Sequence, residues 1–351
     1  MEEFRLTRGK SKREEEVEIS QQTSRDLLKT KSPERKRQKR KTKQLRKRTP
    51  RQQKANKPET FESFYTVGEK LGEGGFGSVF AGTRISDGLQ VAIKFVPKQE
   101  DDRYIQSPYD SRSIPLEVEL LQRMSETSVD SVIQLIQWFD EPKRYILILE
   151  HPQPCKDLHS LQKKYVGSFS EQMARDLMLQ VVRTAIECQK RGIIHRDIKL
   201  DNILINMETL KIKLIDFGCG DLIKRFGYDY YEGTFEYCPP EYFLKGRYCA
   251  IPATVWSLGV LMFEMVCGFL PFKEEADIIG YHRRCDLHFK DGLSDEFCDL
   301  VKWCLHPKPT SRPTLQQILE HRWFKSSSSS PAQGQTTEKV GVQDHQHTGH
   351  Q

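Results

Sequence analysis

The sequence predicts an α+β protein in which a small β-rich lobe precedes a larger helical lobe. Two observations support this prediction. Short apolar runs typical of strands dominate the region before residue 150, and apolar residues at helical spacing dominate after Ser170. A length of 351 residues is ample for two lobes. We expect the first lobe to span 65–149, a linker 150–154, and the second lobe 155–324.

The elements follow from these runs in chain order. The predicted strands are the two halves of Tyr65–Thr83 around a glycine cluster, Gln90–Val96, Val132–Phe139 and Tyr145–Glu150. The predicted helices are Pro115–Met124, Glu171–Lys190, Val255–Gly268 and a last helix that ends at His321–Phe324. Pro115 suits a first helical turn, where its missing N–H costs nothing.

Polar segments flank this body. Residues 1–60 carry 21 Lys and Arg against 9 Asp and Glu, whereas residues 61–351 carry 34 against 40. The net charge of +6 therefore combines a basic arm with a mildly acidic body. Because the arm 1–60 and the tail 325–351 are too polar to bury much apolar surface, we expect both to be disordered.

The basic tract Arg35–Lys57 leaves several interpretations open. It fits a solvated tail, a nuclear-import signal or an anchor on an anionic partner such as nucleic acid. Nucleic-acid contact is the secondary hypothesis, because the body is acidic and the arm lacks interleaved aromatic residues.

Cysteine usage and hydropathy predict an intracellular protein of the cytoplasm, the nucleus or both. The nine cysteines form no C-x-x-C pair, which favours reduced thiols without a metal, and Cys219 is the one we would test for reactivity. The amino-terminal region shows no apolar run typical of a secretory signal. The most apolar stretch, Val255–Phe272, contains Glu264 and favours a buried helix over a membrane span. We expect a monomer without membrane contact.

A glycine cluster fits the pattern G-x-G-x-x-G-x-V. Its residues are Gly72, Glu73, Gly74, Gly75, Phe76, Gly77, Ser78 and Val79. Glycines let the backbone approach phosphate and point N–H groups at it. The same pattern opens dinucleotide-binding folds, but a helix would follow there, whereas a strand follows here. We therefore predict a β-hairpin flap over phosphates.

Lys94 lies on a predicted strand about 20 residues after the flap, where its ammonium could reach nucleotide phosphates. That role needs a partner carboxylate, and the next helix offers Glu117 and Glu119. Glu117 shares its face with Leu120, Leu121 and Met124, so it should point inward and be paired. We choose Glu117 as the partner and assign Glu119 to solvent.

The segment His195–Asn202 is the strongest signal, since it fits H-R-D-x-K-x-x-N. Asp197 could orient an attacking hydroxyl and accept its proton, and Asn202 could ligate a metal ion. Lys199 could neutralise charge on a moving phosphoryl group.

Two later motifs complete this pattern. Asp216 opens a D-F-G triplet directly after an apolar strand, and it is predicted to hold Mg²⁺. Glu241 ends a C-P-P-E segment, and Arg312 is the candidate for its ion-pair partner.

Taken together these residues resemble the eukaryotic protein-kinase family over Tyr65–Phe324, and more closely the Pim group of serine/threonine kinases. The segments that carry the resemblance are the linker Glu150–Pro154, HRDIKLDNILI, LIDFGCG, GT-x-x-Y-x-PPE and the VWSLGV…MVCG helix. The resemblance implies a bilobal kinase fold, ATP and Mg²⁺ as cofactors, and serine or threonine hydroxyls of proteins as substrates. Lys199 disfavours tyrosine specificity.

The resemblance also implies how adenine is bound. Pro152 removes one N–H donor from the linker, and the Glu150 carbonyl remains as an acceptor. The apolar residues expected around adenine are Leu71, Val79, Ala92, Leu149, Leu204 and Ile215. Leu149 would control access behind it. Thr254 stands where most kinases have an aspartate, but the Pim group lacks that aspartate too.

Substrate preference and regulation are further expectations from the resemblance. Asp157, Asp201 and Glu264 fall on acidic, substrate-facing positions, which predicts substrates with basic residues upstream of the target. Ser160 and Phe269 replace two further acids of the group, so the preference should be less stringent. A catalytically weak scaffold with the same fold is an alternative hypothesis, although every catalytic position holds a competent residue.

Activity without activation-loop phosphorylation is also expected. Asp229 or Glu232 could supply the anion that Arg196 otherwise needs.

Overall fold

The computed structural model describes residues 60–106, 112–165 and 167–325. The predicted disorder of the arm and the tail falls almost wholly outside these residues, as does the basic tract Arg35–Lys57. Those expectations stay predictions.

The first lobe is built on a five-stranded antiparallel sheet in the order β1-β2-β3-β7-β6. Its strands are β1 (Tyr65–Gly74), β2 (Gly77–Arg84), β3 (Gln90–Pro97), β6 (Leu135–Asp140) and β7 (Arg144–Glu150). A short helix α1 (Phe61–Phe64) precedes the sheet. A small hairpin of β4 (Tyr104–Gln106) and β5 (Ser113–Pro115) leads into helix α2 (Leu116–Ser125). The predicted β-rich first lobe is confirmed.

Strand β3 has β2 and β7 along its two edges and is buried on both faces over most of its length. Val91 and Ile93 point to one face, where they pack with Phe61 of α1. Ala92 and Lys94 point to the other face and are also buried. A lysine on a central strand must therefore find charged partners inside the protein.

The second lobe is mainly helical, as predicted. Its helices are α3 (Leu158–Lys164), α4 (Glu171–Lys190), α5 (Pro240–Lys245), α6 (Ala250–Cys267), α7 (Glu275–Arg284), α8 (Asp295–Cys304), α9 (Leu315–Glu320) and α10 (Arg322–Lys325). Five short strands lie near its start: β8 (Cys155–Asp157), β9 (Ile193–Ile194), β10 (Ile203–Asn206), β11 (Ile212–Leu214) and β12 (Asp221–Leu222). They form a three-stranded sheet, β11-β10-β8, and a pair, β12-β9.

Local signals set the helix boundaries. Helix α4 begins after Ser170, whose hydroxyl accepts a hydrogen bond from the backbone N–H of Met173, a regular N-cap. Helix α6 ends at Gly268, which adopts the left-handed conformation with φ of 85°. Among the described residues α6 is the one helix long and apolar enough to cross a membrane. Because 78% of it is buried inside the protein, it fits the predicted core helix.

Three boundaries differ from the sequence prediction. Helix α6 begins at Ala250, earlier than predicted, because Pro252 is tolerated in a first turn. Pro115 is the N-cap of α2 and ends strand β5, so it is not inside the helix. The last predicted helix is broken at His321, whose extended backbone (ψ of 146°) separates α9 from α10.

The assignment of Glu119 to solvent is wrong. Glu119 is fully buried, and its carboxylate accepts a hydrogen bond from Arg123 Nε at 2.7 Å. Helix α2 is covered on almost all sides, with seven of its ten residues buried, so the face opposite Glu117 is not exposed. A buried carboxylate needs a partner, and Arg123, one turn later, supplies it.

Candidate active site

Lys94 brings two carboxylates together between the lobes. Its Nζ lies 2.6 Å from Glu117 Oε1 and 2.8 Å from Asp216 Oδ1. Glu117 comes from α2, as chosen from the sequence, and Tyr145 donates its hydroxyl to the other Glu117 oxygen at 3.3 Å. Strand β3, helix α2 and the end of β11 thus meet at one ammonium group.

The charges of this group follow from its surroundings. Burial alone would lower the pKa of Lys94, but Glu117 and Asp216 outweigh burial and hold that pKa above its ordinary value. Burial alone would raise the pKa of Asp216, but Lys94 and the backbone N–H of Gly218 lower it below its ordinary value. Lys94 is therefore cationic and Asp216 anionic at neutral pH.

Asp197 is the centre of a second network. One of its oxygens accepts hydrogen bonds from the backbone N–H and the hydroxyl of Thr234, at 2.9 and 2.6 Å. The other oxygen lies 3.1 Å from Lys199 Nζ and accepts from Asn202 Nδ2 at 2.8 Å. Lys199 also donates to the Thr234 hydroxyl at 2.6 Å. The carboxylate is held in one orientation beside a cation.

The residues predicted to hold a metal fit a small, hard cation. Asn202 donates its amide N–H groups to Asp197, so its amide oxygen is not used in those bonds and could serve as a metal ligand. Asp216 contributes a carboxylate whose pKa is lowered, so it stays ionised. No cluster of three or more His, Cys, Asp or Glu residues suited to a metal exists in the part of the chain that the structure describes. Mg²⁺ is usually bound by one or two protein oxygens together with phosphate oxygens of the substrate. Asn202 and Asp216 would supply two such protein oxygens.

Phe217 and His195 fix the segment that carries Asp216. Their rings meet edge to face with centroids 4.7 Å apart, and a His195 ring nitrogen lies 3.0 Å from the Ile215 carbonyl oxygen. Burial lowers the pKa of His195, so the ring is neutral. Asp216 itself has a positive φ of 61°, a conformation that this packing maintains.

The glycine cluster forms a β-hairpin, as predicted, with Glu73 opposite Ser78 and Gly74 opposite Gly77. Gly77 has a φ of 135°, and a Cβ there would lie 2.1 Å from the Phe95 carbonyl oxygen, so only glycine fits. A Cβ on Gly218 would lie 2.7 Å from the ring of Phe76. The flap tip therefore packs against the D-F-G segment.

The residues expected around adenine come from both lobes: Leu71, Val79, Ala92 and Leu149 lie on strands of the first sheet, Leu204 lies on β10, and Ile215 follows β11. Ala92 and Leu149 are register partners on β3 and β7. The half-buried residues are Val79, Leu149, Leu204 and Ile215, whereas Ala92 is buried and Leu71 is exposed. The Glu150 carboxylate fixes the position of this residue: it pairs with Lys213 Nζ at 2.7 Å and accepts a hydrogen bond from the backbone N–H of Gln134 at 2.9 Å.

The predicted substrate-facing acids differ in exposure and in whether their carboxylates already accept hydrogen bonds. Asp201 is exposed on a short 3-10 turn. Asp157 caps α3 by accepting from the Ser160 backbone N–H at 2.7 Å. Glu264 is half-buried and accepts a hydrogen bond from the hydroxyl of Tyr237. Burial raises the pKa of Glu264, the Tyr237 bond opposes this, and the charge of Asp201 raises it further.

Glu241 and Arg312 form a buried bidentate ion pair, with N–O distances of 2.8 and 2.6 Å. The guanidinium also donates to the backbone oxygens of Pro252 and His306 and lies 4.9 Å from the ring of Trp256. The stretch from Asp216 to Glu241 is called the activation segment below, and this ion pair anchors its end to the helical lobe.

Cys219 is buried behind the D-F-G segment, and burial raises the pKa of its thiol to about 12. The thiol is therefore protonated at neutral pH, which argues against reactivity.

Arg103, which the sequence analysis did not single out, binds acids of the activation segment. It lies just before β4, and no motif or spacing marks it.

Comparison with known proteins agrees with this geometry. The model of the protein kinase domain family matches residues 65–324. The chain belongs to the protein kinase family. It is 40% identical over 279 residues to serine/threonine-protein kinase pim-2 of Danio rerio, covering 78% of this chain and 88% of that protein. It is 38% identical to serine/threonine-protein kinase prk-2 of Caenorhabditis elegans, covering 76% of this chain and 59% of that protein.

A more distant match is an Aurora kinase of Dictyostelium discoideum, 32% identical over 263 residues. The predicted similarity to the Pim group is confirmed, and the chain is a protein serine/threonine kinase that uses ATP and a divalent metal.

Proposed function

We propose that phosphotransfer by this kinase depends on six residues: Lys94, Glu117, Asn202, Asp216, Asp197 and Lys199. The observation that carries the proposal is their arrangement in two networks. Lys94 joins Glu117 to Asp216, and Asp197 joins Lys199 to Asn202. The first network combines a cation with two carboxylates and the second combines a cation with one, which suits a reaction that moves a highly charged group.

In the proposed reaction Asp197 orients the substrate hydroxyl and accepts its proton. The hydroxyl oxygen forms a bond to the γ-phosphorus of ATP, and the bond from that phosphorus to the β–γ bridging oxygen breaks, releasing ADP. Lys94 holds the α- and β-phosphates, and Glu117 fixes Lys94. Lys199 neutralises negative charge near the attacked phosphorus. Mg²⁺ bound by Asn202 and Asp216 would offset phosphate charge.

Phosphate transfer to a serine peptide by Lys94→Met tests this proposal. Lys98→Met is a matched control, because Lys98 lies just past the same strand and pairs with the exposed Asp140 at 2.5 Å. We expect Lys94→Met to lose most of its activity and Lys98→Met to keep it. Equal activities in the two variants would refute the role of Lys94.

We further propose that the kinase is active without phosphorylation of its activation segment. The support is Glu232, which binds the guanidinium of Arg196 as a phosphate would. Residues 219–240 are all described, and they contain the hydroxyls that could be phosphorylated. The Thr234 hydroxyl is hydrogen-bonded to Asp197, and among the tyrosines of this stretch only Tyr230 has an exposed ring. Tyr228 and Tyr231 are covered.

We propose that preferred substrates carry basic residues upstream of the target hydroxyl. The support is exposed Asp201, which lies in the same segment as Asp197, with Glu264 close enough for the charge of Asp201 to raise its pKa. Asp157 contributes an oxygen that also caps a helix. Because Ser160 and Phe269 stand where the Pim group has two further acids, we propose that the preference for basic residues is weaker than in that group.

The basic arm lies outside the described residues. Nuclear import, nucleic-acid contact, an intracellular location and a monomeric state are proposals that rest on sequence alone. Retention of residues 1–60 on nucleic acid at rising salt tests the contact.

A further inference from the structure

Arg103, in the first lobe, contacts the segment that follows the D-F-G triplet. Its Nη1 lies 2.7 Å from Asp221 Oδ2, and its Nη2 donates to Glu232 Oε2 at 2.9 Å and to the Gly220 carbonyl at 3.0 Å. All three acceptors belong to the segment between the D-F-G triplet and Thr234. One side chain of the first lobe thus holds both ends of that segment.

The same acceptors bind Arg196 of the H-R-D motif. Arg196 Nη2 donates to Glu232 and, at 3.2 Å, to the Gly220 carbonyl. Two guanidinium groups therefore share one carboxylate and one carbonyl. With Lys224 3.0 Å from Asp221, the cluster holds three cations and two anions. Loss of either anion would leave three cations with a single carboxylate between them.

The backbone of Arg103 is tied to helix α2. The Arg103 carbonyl accepts a hydrogen bond from the N–H of Leu116 at 2.8 Å. Leu116 is the first residue of α2, and Glu117, the partner of Lys94, is the second. Helix α2 also packs closely against the activation segment at Gly220. A Cβ added to Gly220 would lie 2.6 Å from Leu120 of this helix, so the glycine allows the close approach.

We infer that Arg103 is a positioning residue that locks helix α2 to the activation segment in the catalytic arrangement. Its backbone fixes the start of the helix that supplies Glu117, and its side chain fixes the segment that orients Arg196 and Thr234. The inference rests on the phosphotransfer function proposed above. It adds that Glu232 serves two arginines, one from each lobe.

The test compares full-length wild type with Arg103→Gln, Arg103→Lys and the control Arg84→Gln. Arg84 lies in the same lobe and pairs with Asp87 at 2.7 Å in a surface turn. The measurements are kcat and KM for Mg·ATP and a serine peptide, and backbone hydrogen exchange of residues 116–125 and 218–234.

We expect Arg103→Gln to lower kcat about tenfold, an ordinary size for coupling between two sites. The peptide KM should stay nearly unchanged, because the Arg103 side chain binds Asp221, Gly220 and Glu232, none of which is proposed to bind substrate. Both segments should exchange faster in this variant. Arg103→Lys should recover part of the loss, since it keeps the charge but not the forked donors. Arg84→Gln should match wild type in every measurement.

The inference is overturned if Arg103→Gln matches Arg84→Gln, or if only one of the two segments loosens. It is also overturned if exchange rises throughout the protein in both Arg103 variants, which would show general destabilisation. A wild type without phosphotransfer would refute the proposed function. The exchange data would still decide whether Arg103 couples the two segments.

Discussion

Breaking the buried pair of Glu241 and Arg312 should destabilise the protein more than breaking any surface pair. The Arg312 side chain is 0% exposed and that of Glu241 is 6% exposed, so neither can turn to water if its partner is removed. Removing one member of a buried pair costs about 3–5 kcal/mol. Removing one member of an exposed pair costs about 1 kcal/mol or less.

The expected change in melting temperature follows from domain size. The kinase domain spans residues 65–324. An unfolding entropy of about 2.1 cal/mol/K per residue gives roughly 0.5 kcal/mol/K for such a domain, so Arg312→Gln should melt roughly 5–9 °C below wild type. Arg84→Gln is the matched control, since Arg84 pairs with Asp87 at the surface. It should melt within about 2 °C of wild type.

Urea unfolding measures the free energy directly. We expect a lower midpoint with an unchanged slope for Arg312→Gln. The double variant Glu241→Leu with Arg312→Met should be more stable than Arg312→Gln, because it leaves no unpaired charge in the interior. Equal midpoints for Arg312→Gln and Arg84→Gln would refute this reasoning, as would a double variant less stable than Arg312→Gln.

Three further predictions concern activity and reactivity. Phosphatase treatment should leave wild-type activity nearly unchanged, whereas Glu232→Gln should reduce the activity of the dephosphorylated protein. A large loss of wild-type activity on phosphatase treatment would point instead to a phosphorylated switch. A peptide library should show preference for arginine upstream of the target; indifference to arginine would exclude the basic preference. Alkylation at neutral pH should modify the exposed Cys249 and Cys285 before the buried Cys219, whose thiol pKa is raised to about 12; labelling of Cys219 first would contradict its burial.

Patterns within one element were predictable from the sequence. Helix Glu171–Lys190 was predicted to the residue, because an amphipathic repeat is a local signal. Lys94 and Glu117 could be paired in advance, because each lies on the inward face of its own element. The glycine flap was recognised as a hairpin since strand-like residues follow it.

Contacts between distant elements were not predictable in the same way. The burial of Glu119 depends on what covers the second face of α2, which its own periodicity does not reveal. Arg103 meets Asp221 and Glu232 across 118 and 129 residues, and no spacing rule connects positions so far apart. Glu264 matched an acidic pattern, but only the fold shows that Tyr237 donates a hydrogen bond to it.

The central claim is that Asp197, held by Thr234, Lys199 and Asn202, orients and deprotonates the attacking hydroxyl. The most direct measurement is the turnover of Asp197→Asn on a serine peptide, beside wild type, with melting curves to show that both are folded. The account predicts an active wild type and a variant that keeps less than about a tenth of its turnover. A folded Asp197→Asn with more than about a tenth of wild-type turnover would contradict it.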